Sequence, residues 1–217
     1  MTGSSVLPIA IHKNQLYFLF GKENAKEDSA KGFSDFGGAM EGKDTAYDTA
    51  MREGAEELTG FLGNPQELKT HIKKNGGTIQ FRLEHYFTHI FYMEFDPNLP
   101  KYYNMNHRYL WNNDNISSEV LNKSKLFEKI EIQWFTPNQM MRRIKEFRGF
   151  YQEMIKQLYK QQPKIKRFAL SCKHKKKSRK RQKQKTSNLE RKVHFDDSTF
   201  SGRKTRKYRK TPLIEEK

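Results

Sequence analysis

The chain is poor in the features from which cross-links, membrane anchors and export signals are built. Cys172 is its single cysteine among 217 residues, so no internal disulfide and no cysteine-based zinc site can form. The opening residues, MTGSSVLPIAIHKNQ, contain too short an apolar run, and no basic start, for a secretory signal peptide. The apolar and aromatic stretch 86–95 is too short to span a membrane. We expect a soluble protein of a reducing, intracellular compartment with no membrane partner.

Acidic residues are scarce towards the C-terminus, so the charge is uneven. Residues 161–217 contain 21 of the 42 Lys and Arg but 5 of the 25 Asp and Glu, which gives them a net charge of +16 out of the total of +17. Such a composition cannot bury enough apolar surface to fold alone. We therefore predict a near-neutral folded domain of residues 1–160 and a basic, low-complexity, disordered segment of residues 161–217, the basic tail.

Apolar periodicity predicts alternating strands and helices within residues 1–160. Runs at 6–11, 16–20, 78–81, 86–95 and 130–135 are typical of strands, and the first two flank a hairpin signal at 12–14. Helices are predicted at about 45–58, at 65–74 and along 138–160, where apolar residues recur at helical spacing. The Asn-rich stretch 102–113 is interpreted as a connection. This order indicates one α/β domain without internal repeats.

The strongest functional signal is the stretch GGAMEGKDTAYDTAMREGAEELTG, residues 37–60. Its glutamates Glu53, Glu56 and Glu57 follow an i, i+3, i+4 spacing and would share one face of a helix. Neighbouring carboxylates repel one another unless a cation compensates them, and Mg²⁺ takes oxygen ligands of this kind. Gly37 and Gly38 permit a close backbone approach in the loop before the helix, which favours a metal site over a merely solvated acidic face.

These residues resemble the Nudix box, whose pattern is G-x5-E-x7-R-E-U-x-E-E-x-G-U, where U is a bulky apolar residue. The positions that match are Gly38, Arg52, Glu53, Glu56 and Glu57. Asp44 replaces the first Glu and keeps an acid that would orient Arg52. Gly54 replaces a bulky residue, and Thr59 replaces a Gly, with Gly60 one residue later as a helix cap. The flanking segments FSDFGGAME and EELTGFLG look most like Nudix proteins of large DNA viruses.

The resemblance implies a Nudix-type α/β/α sandwich with a mixed β-sheet, and hydrolysis of a nucleoside diphosphate linked to another group. Glu53, Glu56 and Glu57 would bind Mg²⁺ or Mn²⁺, which contacts the diphosphate and lowers the pKa of the attacking water. Arg52 would orient a glutamate rather than touch the substrate. The general base would be a box glutamate or one of the later Glu128 and Glu131, either of which could instead be an exposed strand residue.

The stretch YYNMNHRYLWNN, residues 102–113, concentrates aromatic rings and a guanidinium group. Such groups can stack on a nucleobase. The substrate-binding candidates are therefore Tyr102, Tyr103, Arg108, Tyr109 and Trp111. The competing interpretation, which we favour for any single one of them, is that they anchor a long loop to the core.

Two dense cationic runs, HKKKSRKRQKQK and GRKTRKYRK, occupy the basic tail. Such runs neutralise phosphates and release counterions, which predicts RNA or DNA binding. They also resemble a nuclear-localisation patch, so cytoplasm and nucleus both stay open. A solubilising tail without a dedicated partner is the third interpretation. The candidate nucleic-acid contacts are Lys175, Lys176, Lys177, Arg179, Lys180, Arg181, Arg203, Lys204, Arg206 and Lys207.

The box and the tail together favour an RNA-directed hydrolase, with removal of the mRNA 5′ cap as the sharpest hypothesis. One alternative is hydrolysis of free nucleotides, dinucleoside polyphosphates or diphosphoinositol polyphosphates. Another is a non-catalytic nucleic-acid-binding protein on the same scaffold, against which the intact set of box glutamates argues. The sequence leaves the oligomeric state open.

Overall fold

The computed structural model describes residues 2–23, 31–124 and 128–200, with the backbone alone for residues 118, 122, 124, 180, 183 and 185–200. Its strands are β1 (Gly3–His12), β2 (Gln15–Lys22), β3 (Phe33–Ser34), β4 (Phe36–Ala39), β5 (Thr78–Leu83), β6 (Tyr86–Tyr92) and β7 (Glu131–Phe135). Its helices are α1 (Ala46–Glu57), α2 (Pro65–Lys74), α3 (Asn98–Trp111), α4 (Ser118–Ser124), α5 (Pro137–Arg142), α6 (Tyr151–Lys160) and α7 (Gln162–Phe200). A short 3-10 helix, Ile144–Glu146, lies between α5 and α6.

The described strands form one mixed sheet around β1. The first part of β1 pairs antiparallel with β4 and its last part with β2, while its other edge pairs in parallel with β6. β5 extends the sheet beyond β6, and β3 and β7 both pair with β2. This topology places the glycines of β4 beside the start of the central strand.

The β1–β2 hairpin closes through Lys13 and Asn14, whose φ angles are +45° and +61°. A two-residue turn with both φ angles positive has the twist that antiparallel strands need, and Asn adopts this conformation more readily than most residues. The register that follows sets Ile11 opposite Leu16. The hairpin predicted from the apolar runs is confirmed.

Alternation along the strands sends side chains into two cores, one on each face of the sheet. The core towards α5, α6 and α7 includes Leu7, Ile9, Phe18, Phe20, Phe33, Phe135, Phe147 and Tyr151. The core towards α1, α2 and α3 includes Val6, Ala10, Phe36, Ala50, Ala55, Leu68, Phe91 and Tyr103. The predicted α/β/α sandwich with a mixed sheet is confirmed.

The Asn-rich stretch predicted as a connection is mostly helix α3. Asn104 explains how it is held: its Oδ1 accepts from the Ile132 N–H at 2.8 Å and its Nδ2 donates to the Ile132 carbonyl at 3.2 Å. One side chain thus bonds to strand β7 much as a neighbouring strand would. Asn is a weak helix former, so this helix depends on tertiary contacts that periodicity does not report.

The single helix predicted along 138–160 is interrupted. α5 ends at Arg142 and α6 begins at Tyr151. Between them Phe147 is extended, with φ −89° and ψ 152°. It forms a bridge with Phe33, whose carbonyl accepts from the Arg148 N–H at 3.1 Å. The apolar spacing continues through the break because Phe147 and Tyr151 still reach the same core.

The folded part extends beyond the predicted boundary at 160/161. Among the described residues, those up to Lys176 form one compact unit, and those from Lys177 to Phe200 belong to another. In the first unit Ile165, Ala169 and Cys172 are buried along one face of α7. The prediction of disorder from residue 161 is therefore wrong for residues 161–176; residues 201–217 lie outside the described residues. None of the helices described combines the length and apolar character that crossing a bilayer requires.

Candidate active site

Helix α1 carries the motif glutamates and approaches the sheet closely. Thr45 caps its start, since Thr45 Oγ1 accepts from the Asp48 N–H at 3.1 Å. Gly54 faces Val6 of β1, and a Cβ at residue 54 would lie 2.4 Å from Val6 Cγ2. The bulky residue usual at this box position would not fit, so glycine here allows the helix backbone to lie against β1.

The end of α1 explains the other departure from the box pattern. The Thr59 N–H donates to the Glu56 carbonyl at 2.8 Å, and the Gly60 N–H donates to the Ala55 carbonyl at 2.9 Å, which is a Schellman motif. Thr59 has a φ of +55° and Gly60 one of +67°. Thr59 thus occupies a left-handed position that glycine fills without strain, and Gly60 completes the cap.

The two motif glycines, Gly37 and Gly38, lie in strand β4 rather than in the predicted loop. A Cβ on Gly38 would lie 2.6 Å from Glu53 Oε2, so the missing side chain leaves room for the Glu53 carboxylate. The Gly37 N–H donates to Glu57 Oε2 at 2.7 Å. The glycines therefore bring two of the three glutamates against the backbone of the sheet.

Arg52 ties the box residues to one another. Its Nη1 donates to Glu53 Oε1 at 2.5 Å, and its Nε lies 3.6 Å from Asp44 Oδ2. Burial would lower the pKa of Arg52, but Glu53 and, more weakly, Glu41 and Glu56 raise it. We predict that Arg52 orients a glutamate, and the carboxylate it contacts directly is Glu53.

Glu57 differs from its two neighbours in being buried, with 7% of its surface exposed. Its Oε1 lies 2.9 Å from Lys129 Nζ, and Lys129 is 0% exposed. Lys129 also pairs with Glu23, whose Oε1 accepts from Arg148 Nη1 at 3.1 Å. These two carboxylates and two cations form one ionic group, the Lys129 network (Glu57, Lys129, Glu23 and Arg148).

Burial dominates the electrostatics of the Lys129 network. It raises the pKa of Glu57, with Lys129 opposing the rise and Glu23 and Glu128 adding to it. Burial alone would lower the pKa of Lys129, but Glu57 and Glu23 outweigh it and raise that pKa. The ammonium group therefore keeps its charge although water does not reach it.

The two later glutamates predicted as bases lie in different surroundings. Glu131 begins β7, and its Oε2 lies 3.9 Å from Lys22 Nζ, with the two side chains 39% and 42% exposed. Glu128 is half-buried beside Lys129 and contributes to the raised pKa of Glu57. Glu131 thus forms a surface ion pair, whereas Glu128 acts electrostatically on Glu57; the role of either as a base stays a prediction.

Helix α3 divides the aromatic candidates into a buried and an exposed set. Tyr103 is 4% exposed, and its OH lies 3.2 Å from the Lys129 carbonyl and 3.3 Å from the Glu57 carbonyl. This side chain packs inside the domain, which agrees with the favoured interpretation that the aromatic residues of this stretch anchor it to the core. Trp111 is half-buried and its ring is stacked on His107. The exposed members are Tyr102, Arg108 and Tyr109.

The predicted nucleic-acid contacts lie on α7 as far as they are described. Lys176 pairs with Glu94 at 3.3 Å. Lys180 is described by its backbone alone, and Arg203, Lys204, Arg206 and Lys207 lie outside the described residues. The exposed side chains are those of Lys175, Lys177, Arg179 and Arg181. Their binding to RNA, and their role in localisation, stay predictions.

The donors on α1 suit a hard divalent cation in their chemistry. In the part of the chain that the structure describes, no three His, Cys, Asp or Glu side chains already converge as a metal-binding group. Glu53 and Glu56 are half-buried carboxylates one turn apart, which are the oxygen donors that Mg²⁺ and Mn²⁺ prefer. Gly38 leaves space beside Glu53. By the chemistry of their oxygen donors, these residues fit such an ion.

The sequence analysis missed Lys129, Glu23 and a buried acid, Asp35. Asp35 is 1% exposed and accepts hydrogen bonds from Ser5, from Tyr86 Oη at 2.8 Å and from Thr88 Oγ1 at 2.9 Å. Burial raises the pKa of Asp35 against the effect of these hydrogen bonds. An acid enclosed between aromatic residues, as in FSDFGG, is the signal that marks Asp35. Nothing in the local pattern marks Lys129.

Comparison with known proteins gives little for this chain. No family model matches it, and no curated protein matches it. It is similar to the crystal structure of RenU, a Nudix hydrolase from M. Smegmatis, at 11% sequence identity and a TM-score of 0.45. The similarity covers 76% of this chain and 88% of that chain. A likeness of this size supports no inference about function, which must come from the residues of the site.

Proposed function

We propose that the chain is a metal-dependent hydrolase of the Nudix type, which cleaves the pyrophosphate bond of a nucleoside diphosphate linked to another group. The observation that carries this proposal is the way the box residues are held. Glu53 and Glu57 lie against the glycines of β4, and Arg52 contacts Glu53. A merely solvated acidic face would not have its carboxylates fixed against the backbone of a sheet.

Glu53 and Glu56, the partly exposed carboxylates of α1, would hold Mg²⁺ or Mn²⁺. When bound, the ion would neutralise charge on the diphosphate and lower the pKa of the attacking water. The protein's own part is to orient these donors. Arg52 fixes Glu53 through the 2.5 Å contact, and Gly38 gives Glu53 its space. Glu128 is the residue we assign as general base, which accepts the proton of the attacking water.

Capped RNA is the substrate we propose. Tyr102, Arg108 and Tyr109 are exposed on α3, and the same helix contacts the site through Tyr103. Aromatic and guanidinium planes of this kind can stack on a nucleobase. The exposed cations of α7 supply a surface for RNA phosphates, whose binding would weaken as salt is raised.

Release of methylated guanosine diphosphate from cap-labelled RNA, with Mg²⁺ or Mn²⁺, tests the proposal. Glu56→Gln should slow release at least about 100-fold, the usual size for losing one charge-stabilising group at an active site. Glu153→Gln is the matched control, because Glu153 lies on α6 with its side chain 56% exposed in a surface pair with Lys156. It should retain the wild-type rate.

The contribution of the cations is tested in the full chain, without truncation. Replacing the exposed residues Lys175, Lys177, Arg179 and Arg181 by Gln should raise KM for capped RNA and flatten its salt dependence. Cleavage of free nucleotides or inositol pyrophosphates without cap release would replace RNA by a small-molecule substrate. A Glu56→Gln protein with every activity of the wild type would leave a non-catalytic nucleic-acid-binding protein instead.

A further inference from the structure

Lys129 has a degree of burial that a surface role cannot explain. It is 0% exposed, and its Nζ lies 2.9 Å from Glu57 Oε1 while also pairing with Glu23. Space for its stem is built into the sheet, because a Cβ at Gly21 of β2 would lie 2.7 Å from Lys129 Cγ. Its backbone carbonyl accepts from Tyr103 Oη at 3.2 Å. The fold therefore holds this lysine by its stem, its backbone and its charge.

Glu57 is fully engaged without a metal ion. One of its oxygens lies against Lys129 and the other accepts from the Gly37 N–H at 2.7 Å. Within the Lys129 network the carboxylates of Glu57 and Glu23 face the cations of Lys129 and Arg148. A buried ion pair persists only when its partners compensate each other in this way. A divalent cation at the Glu57 oxygens would meet a fixed ammonium in a weakly screened interior.

We propose that Lys129 is the internal counter-ion of Glu57 and occupies the place that a divalent cation would take beside it. Metal is then held by Glu53 and Glu56, while Glu57 is a positioning residue that ties the end of α1 to β4 through Gly37. This inference rests on the proposed hydrolase function, and it assigns a role to Lys129 and removes Glu57 from the ligands.

Mn²⁺ binding measured by electron paramagnetic resonance tests the role of Glu57 independently of activity. Glu56→Gln should weaken Mn²⁺ binding at least about tenfold, since loss of even an outer-shell partner of a metal ligand costs that much. Glu57→Gln keeps the side-chain length and one acceptor for the Gly37 N–H, but it turns an NH2 group towards Lys129. It should therefore lose stability, while the folded variant should bind Mn²⁺ with the wild-type affinity. A loss in Glu57→Gln equal to that in Glu56→Gln would overturn the inference while leaving the hydrolase proposal intact.

Lys129→Met tests the counter-ion itself. Removing the ammonium leaves Glu57 without a cation, while Glu23 keeps Arg148, so the variant should bind one more Mn²⁺ than the wild type, and Mn²⁺ should raise its Tm more. Lys22→Met is the matched control, since the Lys22 side chain is 42% exposed in a surface pair with Glu131, and it should behave as the wild type. If Lys129→Met is unfolded alone, recovery of folding with Mn²⁺ supports the inference, and no recovery overturns it.

The double variant Lys129→Met with Glu57→Gln removes one charge of each sign. It should bind the same number of Mn²⁺ ions as the wild type, and an additional ion in this variant would overturn the inference. Failure of the underlying function has a different signature. A wild-type protein that binds no Mn²⁺, or whose Mn²⁺ binding does not depend on Glu56, would remove the hydrolase proposal and this inference with it.

Discussion

The two faces of the central sheet are packed in opposite ways, although the same strands supply both. On the aromatic face, towards α5, α6 and α7, large rings meet edge to face: the centroid of the Phe20 ring lies 5.0 Å from that of Phe147. On the site face, towards α1, α2 and α3, the contact of α1 with β1 is made by Gly54 on Val6. The difference teaches that the charged residues of α1 come within hydrogen-bond distance of β4 because the backbone of α1 lies close to the sheet. Large side chains between the helix and the sheet would prevent this contact.

The largest effect is expected on the aromatic face. Phe20→Ala removes a fully buried ring that also meets Phe135 and Tyr151 edge-on. It should lower the free energy of unfolding by about 3–5 kcal/mol, the usual cost of such a cavity. Urea denaturation measures the loss. Mn²⁺ affinity of the folded protein should not change. A loss below about 1 kcal/mol would mean that the face collapses to fill the cavity.

The next effect tests the close approach on the site face. Gly54→Ala should gain about 1 kcal/mol of helix propensity, yet its new Cβ would meet Val6 Cγ2 at 2.4 Å. Overpacking of this kind costs about 1–3 kcal/mol, so we expect a net loss of stability in thermal melting. The double variant with Val6→Ala should recover part of it. If Gly54→Ala were more stable than the wild type, the two elements would not be in tight contact.

A smaller effect is expected at the end of the site helix. Thr59→Gly relieves a left-handed residue with φ +55°, and it should raise the free energy of unfolding by about 0.5–1 kcal/mol after the entropy cost of glycine. Gly60→Ala is the opposite change at φ +67°, where nothing lies within 4 Å of a new Cβ, so backbone strain alone should destabilise it. Equal stabilities for the two variants would contradict the assigned cap.

The smallest expected effect is a loss of folding stability at acid pH, caused by a buried histidine on the site face. His89 is 6% exposed, its ring nitrogens find no partner among the described residues, and burial lowers its pKa. The unfolded chain takes up the proton near the ordinary pKa of about 6.5, so stability is retained above that pH and falls below it.

Urea titrations at pH 7.5 and 5.5 measure this dependence. His89→Phe should show a smaller fall in stability than the wild type, whereas a substitution at the exposed His174 should not. The lowered pKa values of His71 and His107 act in the same direction, so part of the dependence should persist in His89→Phe. If the stability of His89→Phe fell as much as that of the wild type between the two pH values, the pH dependence would come from His71 and His107 instead.

Local signals predicted the elements that are held by local chemistry. The hairpin needs Lys13 and Asn14 at positive φ, and α2 begins at Pro65 after an Asn64 cap that Glu67 completes. The box spacing likewise predicted which residues of α1 share a face. These features depend on contacts a few residues apart, which a single sequence contains.

Contacts between distant segments account for what the sequence did not predict. Asn104 holds α3 through Ile132, and Phe33 interrupts the predicted C-terminal helix at Phe147. Lys129, two residues before β7, meets Glu57 at the end of α1. The pairing of β7 with β2 in the sheet brings these two distant residues together. No spacing within the chain relates these pairs, so only the tertiary fold brings the partners together.

Cys172 gives the protein a built-in reporter of local opening. Its Sγ would lie 2.5 Å from a Cβ at Gly76, the side chain is 3% exposed, and burial raises the pKa of the thiol. A thiol reagent can therefore react only when the first turns of α7 separate from the core. Since the chain has no other cysteine, the labelling rate of the unmodified protein measures how often that separation occurs.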